Sequence, residues 1–258
     1  MVGNPVAHGP LTMSLVYPGN GIPIDGEKRF WIGWQIEREK GWHTYWKHPG
    51  DVGVAPSVKW DLSNGCEAGE IVFPPPHRVS MTGIRAYGHY GETLFLIPFT
   101  LSGTPEKEVT IRGDFSWLAC SRSCMPATAE LSLSIPMVDK LIKDKPLAER
   151  FRSFWDKQPR DPPAAWDFQA HALGKFIHLQ FPRALSGHAS PMDFFAEHRV
   201  ILSDQTPQVR QQEGRLQWLL KKSPWDQSPP DQLAGLLAVG EGEDLVHYRI
   251  KMPVLKVK

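Results

Sequence analysis

The sequence predicts an all-β protein built as two β-sandwich domains joined by a short helical segment. Three observations carry that prediction. Apolar and polar residues alternate through several short runs, the period of a half-buried strand. Turn formers, 22 Gly and 24 Pro, punctuate the chain every few residues. A helical spacing interrupts the alternation in one place, after Pro136.

The elements follow in order. In "FWIGWQIE" (30–37), Phe30, Ile32, Trp34 and Ile36 alternate with Gly33, Gln35 and Glu37. "TLFLIPF" (93–99) is a short apolar run, and "VTIRGDFSW" (109–117) and "ELSLSIP" (130–136) alternate again. Turn clusters lie between them at "YPGNG", "KHPGDVG", "SNG" and "PPPH". Strands in succession without helices argue for an antiparallel sandwich. In "MVDKLIKDKPLAERFRSFWDK" (137–157) the apolar spacing becomes three to four residues, with Pro146 in the first turn of a second helical segment. The Pro-rich stretch 158–165 reads as a semi-rigid linker. Alternation returns at 175–181, 214–221 and 245–252. The expected organisation is therefore a cysteine-bearing sandwich over 1–137, a helical bridge and linker over 138–165, and a second, smaller sandwich over 166–258.

Composition narrows the function. The chain has 258 residues, 41% hydrophobic and 22% charged, which is a globular balance. With 29 Lys+Arg against 28 Asp+Glu, its net charge of +1 gives no reason to expect nucleic acid or an anionic membrane as partner. No apolar run approaches the ~20 residues that cross a bilayer. The start, "MVGNPVAHGP", has neither a charged n-region nor an apolar h-region, so a signal peptide is expected to be absent or removed. No GxSxG elbow or HExxH helix is present, "GEGED" (240–244) reads as a turn, and the many tryptophans read as core packing.

Of three cysteines, Cys120 and Cys124 stand four apart in "WLACSRSCMP". In 109–119 the odd positions Val109, Ile111, Phe115 and Trp117 are apolar, and Cys120 shares the parity of the polar set. Cys124 shares parity with Thr128 and Glu130. Both thiols are thus expected on the outer or rim face, joined by the hairpin-length "SRS". Three readings compete. A structural staple across so short a loop gains little chain entropy compared with a long-loop crosslink. A zinc site lacks a second cysteine pair, since Cys66 stands alone behind "SNG" and reads as a bystander thiol. A redox-active pair needs exposure and a positive neighbour, which Arg122 inside the loop supplies. His43, His48, Met81 and Met125 also raise a copper reading, because imidazole and soft sulfur suit that metal. Against it, His43 and His48 differ by five and would face opposite ways on an uninterrupted strand.

"SWLACSRSCMPATAELSLSIP" resembles the cysteine hairpin of the amino-terminal periplasmic domain of the DsbD/ScsB family of thiol:disulfide interchange proteins. "GWHTYWKHPGDVGVAPSVKW", "GEIVFPPPHR" and "YGHYGE" are similar to the ScsB-like branch, and "MDFFAEHRVIL" and "DQLAGLLAVGEG" to its second β domain. The resemblance implies an immunoglobulin-like sandwich whose pair takes electrons from a membrane-embedded domain, of the same full-length chain or another. That pair then reduces thioredoxin-like periplasmic partners. It makes Cys120 and Cys124 the exchanging residues, with no cofactor beyond the pair itself. Arg122, Trp117, Tyr87 and Tyr90 become its environment, with Ala86 where a bulky aromatic of a shielding cap loop is expected. The implied location is the periplasm. The alternative is a non-catalytic β-sandwich adaptor or copper-binding module in which Cys120–Cys124 is an inert structural disulfide.

Overall fold

Alternation becomes strand wherever the sequence shows it clearly. The computed structural model describes residues 1–103, 107–186, 192–224 and 231–256, so the last two residues of the second expected domain lie outside the described residues. The chain is all-β, with immunoglobulin-like sandwiches, and divides into two compact units. One comprises Met1–Lys47, Val54–Thr82 and Gly88–Lys157; the other comprises His48–Gly53, Gly83–Tyr87 and Gln158–Lys258.

In chain order the first strands are β1 (Val6–His8), β2 (Leu11–Val16), β3 (Ile22–Pro23), β4 (Arg29–Arg38), β5 (His43–Tyr45) and β6 (Ser57–Leu62). They are followed by β7 (Cys66–Ala68), β8 (His77–Met81), β9 (Ile84–Tyr90), β10 (Glu92–Leu101), β11 (Glu108–Cys120) and β12 (Cys124–Val138). One sheet runs β1-β2-β4-β10-β7 and the other β3-β12-β11-β5-β9-β8, with β6 also paired to β11. Trp34 of β4 and Phe115 of β11 meet between the sheets with ring centroids 4.6 Å apart, and Trp60 of β6 closes on Phe115 at 5.4 Å. Trp34 and Phe115 are fully buried. Rings of this size each contribute about 1.5–3 kcal/mol by apolar burial, so this aromatic layer is a substantial part of what holds the two sheets together.

The helical expectation over 137–157 needs correction in its first half. β12 continues through Val138, and the longest helix among the described residues, α1, spans Lys145–Asp156. The N-cap is Asp144, whose Oδ1 accepts from the Leu147 N–H at 3.1 Å, and Pro146 sits in the first turn. Both features fix a start at this point. Leu141 and Ile142, which fit the helical spacing, lie in the connecting loop instead. Leu147, Phe151 and Phe154 form a buried cluster with Val16 and Leu96, so the apolar face of α1 covers the sheet containing β2 and β10.

The second unit holds β13 (Gln169–Leu173), β14 (Phe176–Gln180), the short helix α2 (Arg183–Ser186), β15 (Met192–Ala196), β16 (Gln208–Gln212), β17 (Arg215–Lys221), β18 (Gln232–Val239) and β19 (Val246–Lys256). Its strand order is β15-β18-β19-β13-β14-β17-β16. β19 pairs antiparallel with β18 up to Pro253, then parallel with β13 from Val254, so one strand links the β15-β18 pair to the β13-β14-β17-β16 run. The proline falls where the partner changes. Gly235 of β18 is required by close approach: a Cβ there would stand 2.5 Å from the Phe195 carbonyl oxygen. The start of the Pro-rich stretch is tied down, since the Arg160 N–H donates to His247 O and its carbonyl accepts from the Arg249 N–H, both at 2.8 Å.

Candidate functional site

β11 and β12 form one hairpin paired without a bulge from Glu108↔Pro136 to Cys120↔Cys124. An unbroken register preserves the parity argument: Val109, Ile111, Phe115 and Trp117 are buried on the core side. The turn Ser121–Ser123 closes with the Ser121 N–H donating to Ser123 O at 3.0 Å. Cys120 and Cys124 are joined as a disulfide, with Cα atoms 4.2 Å apart.

The two sulfurs differ in access, which corrects the expectation that both lie open on the outer face. Cys124 is exposed, whereas Cys120 has a relative exposure of 0%. The cause is a second layer of pairing at the end of β11. From Ile111 to Ser116 β11 is flanked by β6, but at Cys120 its neighbour becomes His43 of β5. His43 in turn pairs with Tyr90 of β9. One rung therefore runs across four strands as Cys124, Cys120, His43 and Tyr90. Directly opposed residues share a face, so these four side chains form a row.

The row is capped from several directions. Tyr45, two residues beyond His43 on the same face, donates its hydroxyl to Cys120 Sγ at 3.1 Å. The His43 ring stands edge-on between Tyr45 and Tyr90, with centroids 5.3 and 5.6 Å away. The Tyr90 hydroxyl accepts from the Ser80 N–H at 3.0 Å. Met81 Sδ lies 3.2 Å from Cys124 Sγ. Positive φ at Thr82 (49°) and Gly83 (91°) makes the tight turn that follows Met81.

Electrostatics behind the row are positive. Arg38 is buried, and its guanidinium donates to Thr44 Oγ1, Thr93 Oγ1 and the carbonyls of Ile36 and Gly91. None of these acceptors is a carboxylate, and burial lowers the Arg38 pKa to about 9. Burial first, and Arg38 second, lower that of His43 to about 4. His89, opposite Thr44 in the ladder, is pushed well below the usual histidine range by burial, with Arg38 and His77 adding to it. Burial, reinforced by Tyr90, raises the Tyr45 phenol, which therefore remains a hydrogen-bond donor.

Other residues singled out in the sequence are distributed more widely. Arg122 is exposed in the turn. Trp117 is buried on the opposite face from the cysteines, edge-on to His8 at 5.6 Å. Tyr90 is 40% exposed and shares the cysteine row through His43. Tyr87 is buried in the second unit, edge-on to Phe195 at 5.2 Å. Of the copper candidates, Met81 touches the pair, Met125 is exposed, and His43 and His48 belong to different units. Among the described residues there is no cluster of three or more His, Cys, Asp or Glu that could hold a metal. Cys66 is a free, buried thiol whose pKa is raised by burial and by Glu67. Sequence reasoning missed His43, Tyr45 and Met81 as neighbours of the pair. The signal for Met81 was the Thr82-Gly83 turn; His43 and Tyr45 reach Cys120 through a pairing that spans more than seventy residues.

Residues 23–136 match the family described as thiol:disulfide interchange protein DsbD, N-terminal. The fold is similar to the crystal structure of the N-terminal periplasmic domain of ScsB from Proteus mirabilis, with a TM-score of 0.70 over 99% of each chain at 14% identity. The Ig1-2 module of the Drosophila receptor protein tyrosine phosphatase DLAR aligns over 95% of this chain and 98% of that one at 10% identity, with a TM-score of only 0.21. Titin domains z1z2 align over 98% and 100% at 9% identity, with a TM-score of 0.20. No curated protein matches the chain in sequence. The stretch 23–136 that is similar to the DsbD N-terminal family of thiol:disulfide interchange proteins includes the whole Cys120–Cys124 hairpin.

Proposed function

We propose that this chain is a periplasmic protein-disulfide reductase module that passes electrons from Cys120 and Cys124 to thioredoxin-like partners. The observation that carries the reading is the disulfide at the tip of the β11–β12 hairpin, with one sulfur exposed and the other sealed. That asymmetry divides the labour. In the reduced protein the Cys124 thiolate attacks a partner disulfide, forming an intermolecular S–S bond and releasing one partner thiolate. Cys120 then attacks Cys124 Sγ, breaking that bond and releasing the second partner thiolate. Two electrons leave the pair, the partner becomes a dithiol, and the Cys120–Cys124 disulfide reforms. The Tyr45 hydroxyl on Cys120 Sγ favours the anionic form of the buried sulfur during the second step. No nucleotide or metal enters the scheme.

Re-reduction requires an electron donor, and a membrane-embedded domain of the same full-length chain or of another protein fits the family. No described helix is long and apolar enough to cross a membrane. The second unit has no cysteine, and we assign it to positioning or partner recognition. Incubating the reduced protein with an oxidised thioredoxin-like protein tests the proposal. The partner's disulfide is expected to open stoichiometrically with loss of the two protein thiols. A Cys120→Ala/Cys124→Ala variant that reduced the partner equally well would contradict it.

A further inference from the structure

His43 is 1% exposed, and neither ring nitrogen has a hydrogen-bond partner among the described residues. Leaving a buried polar group unsatisfied is costly, and native structures tolerate it mostly where the group has work to do. Its place in the fold identifies that work. His43 is the direct cross-strand neighbour of Cys120, on the same face of the sheet.

We propose that His43 is the base that takes the proton from Cys120 when this buried thiol resolves the mixed disulfide. The inference rests on the exchange function proposed above and adds the residue that makes its second step competent. In that step the Cys120 S–H proton passes to an imidazole nitrogen, the Cys120 electron pair forms the bond to Cys124 Sγ, and the Cys124–partner S–S bond breaks. The partner sulfur leaves as a thiolate, and the His43 proton is returned to it or to solvent. A thiol covered by protein gives up its proton to solvent slowly near neutral pH, so an adjacent acceptor speeds its ionisation.

The groups facing His43 suit the role. They are Cys120 from β11, Tyr90 from β9 and Tyr45 from its own strand. Arg38 of β4 acts from behind the sheet, where it binds Thr44. Burial and Arg38 keep the ring neutral while the disulfide is intact, so a lone pair is available. A thiolate formed beside the ring favours the imidazolium, and the Tyr45 hydroxyl and Arg38 favour the thiolate. Tyr45 is not the base, since its raised pKa keeps it a donor.

The test is a stopped-flow reaction of the reduced protein with dithiodipyridine. The first thiopyridone reports attack by Cys124 and the second reports resolution by Cys120. For His43→Phe at about pH 7, the second phase is expected to slow by roughly tenfold or more, with the first within about twofold. At about pH 10, where thiols ionise unaided, the deficit should disappear. His43→Asn should behave in the same way and serves as the test protein if the phenylalanine variant does not fold. A second phase that matches wild type at both pH values, or a deficit that persists unchanged at high pH, would overturn the role of His43 alone. Wild-type protein that never releases the second thiopyridone would instead overturn the exchange function beneath it.

Discussion

Cys120→Ala is expected to trap a disulfide partner as a stable mixed disulfide, whereas Cys124→Ala is expected to capture none. The difference follows from access. An incoming sulfur must approach along the S–S axis, and Cys124 is exposed while Cys120 has no exposed surface. In the Cys120→Ala variant the first step proceeds and the second has no nucleophile, so the covalent complex accumulates. In the Cys124→Ala variant the remaining thiol is covered by Tyr45 and His43, and covalent capture should fall by at least about a hundredfold, the scale of losing an activated nucleophile. Non-reducing gels with intact-mass detection read both outcomes. Capture through Cys120 but not Cys124 would reverse the assigned order.

Acid is expected to destabilise the cysteine-bearing sandwich well before its carboxylates titrate. His43 has a folded pKa of about 4 against the ordinary histidine value of 6.5. Between those values the unfolded chain binds the proton and the native state does not. This contribution is therefore complete above about pH 6.5, falls as pH drops, and is lost below about pH 4. At about 1.4 kcal/mol per unit, His43 accounts for a contribution on the order of 2–3 kcal/mol, a large share of a typical domain's margin. His89 acts in the same direction. Denaturant unfolding at several pH values checks this: His43→Phe should flatten the slope between pH 6.5 and 4, and an unchanged slope would show that the ring is not the group responsible.

Much of this site was legible in the chain because it is local. Alternation through 109–117 and 130–136 is enough to build β11 and β12, and the three-residue "SRS" brings Cys120 opposite Cys124. The start of the helix capped by Asp144 is blurred in the sequence because Leu141 and Ile142 extend its spacing backwards, although Asp144 and Pro146 together mark the true start. The burial of Cys120 was not legible. Parity places it on the outer face correctly, but a strand's own pattern does not reveal what covers that face. The covering residues, His43 and Tyr45, arrive through a three-residue strand too short to show a period of its own. The resemblance implies Tyr87 and Tyr90 as surroundings of the pair, while the side chain 3.2 Å from Cys124 Sγ is Met81, an aliphatic thioether just ahead of the turn.

The most direct measurement of the central claim is equilibration of the native protein with dithiothreitol or glutathione buffers of stepped potential, followed by alkylation and mass analysis. The pair should convert reversibly between disulfide and dithiol without loss of tertiary structure, with a midpoint above about −300 mV, the level below which structural disulfides typically lie. A pair that stays oxidised in excess dithiothreitol until the sandwich is unfolded would identify an inert crosslink and remove the basis for electron transfer by this chain.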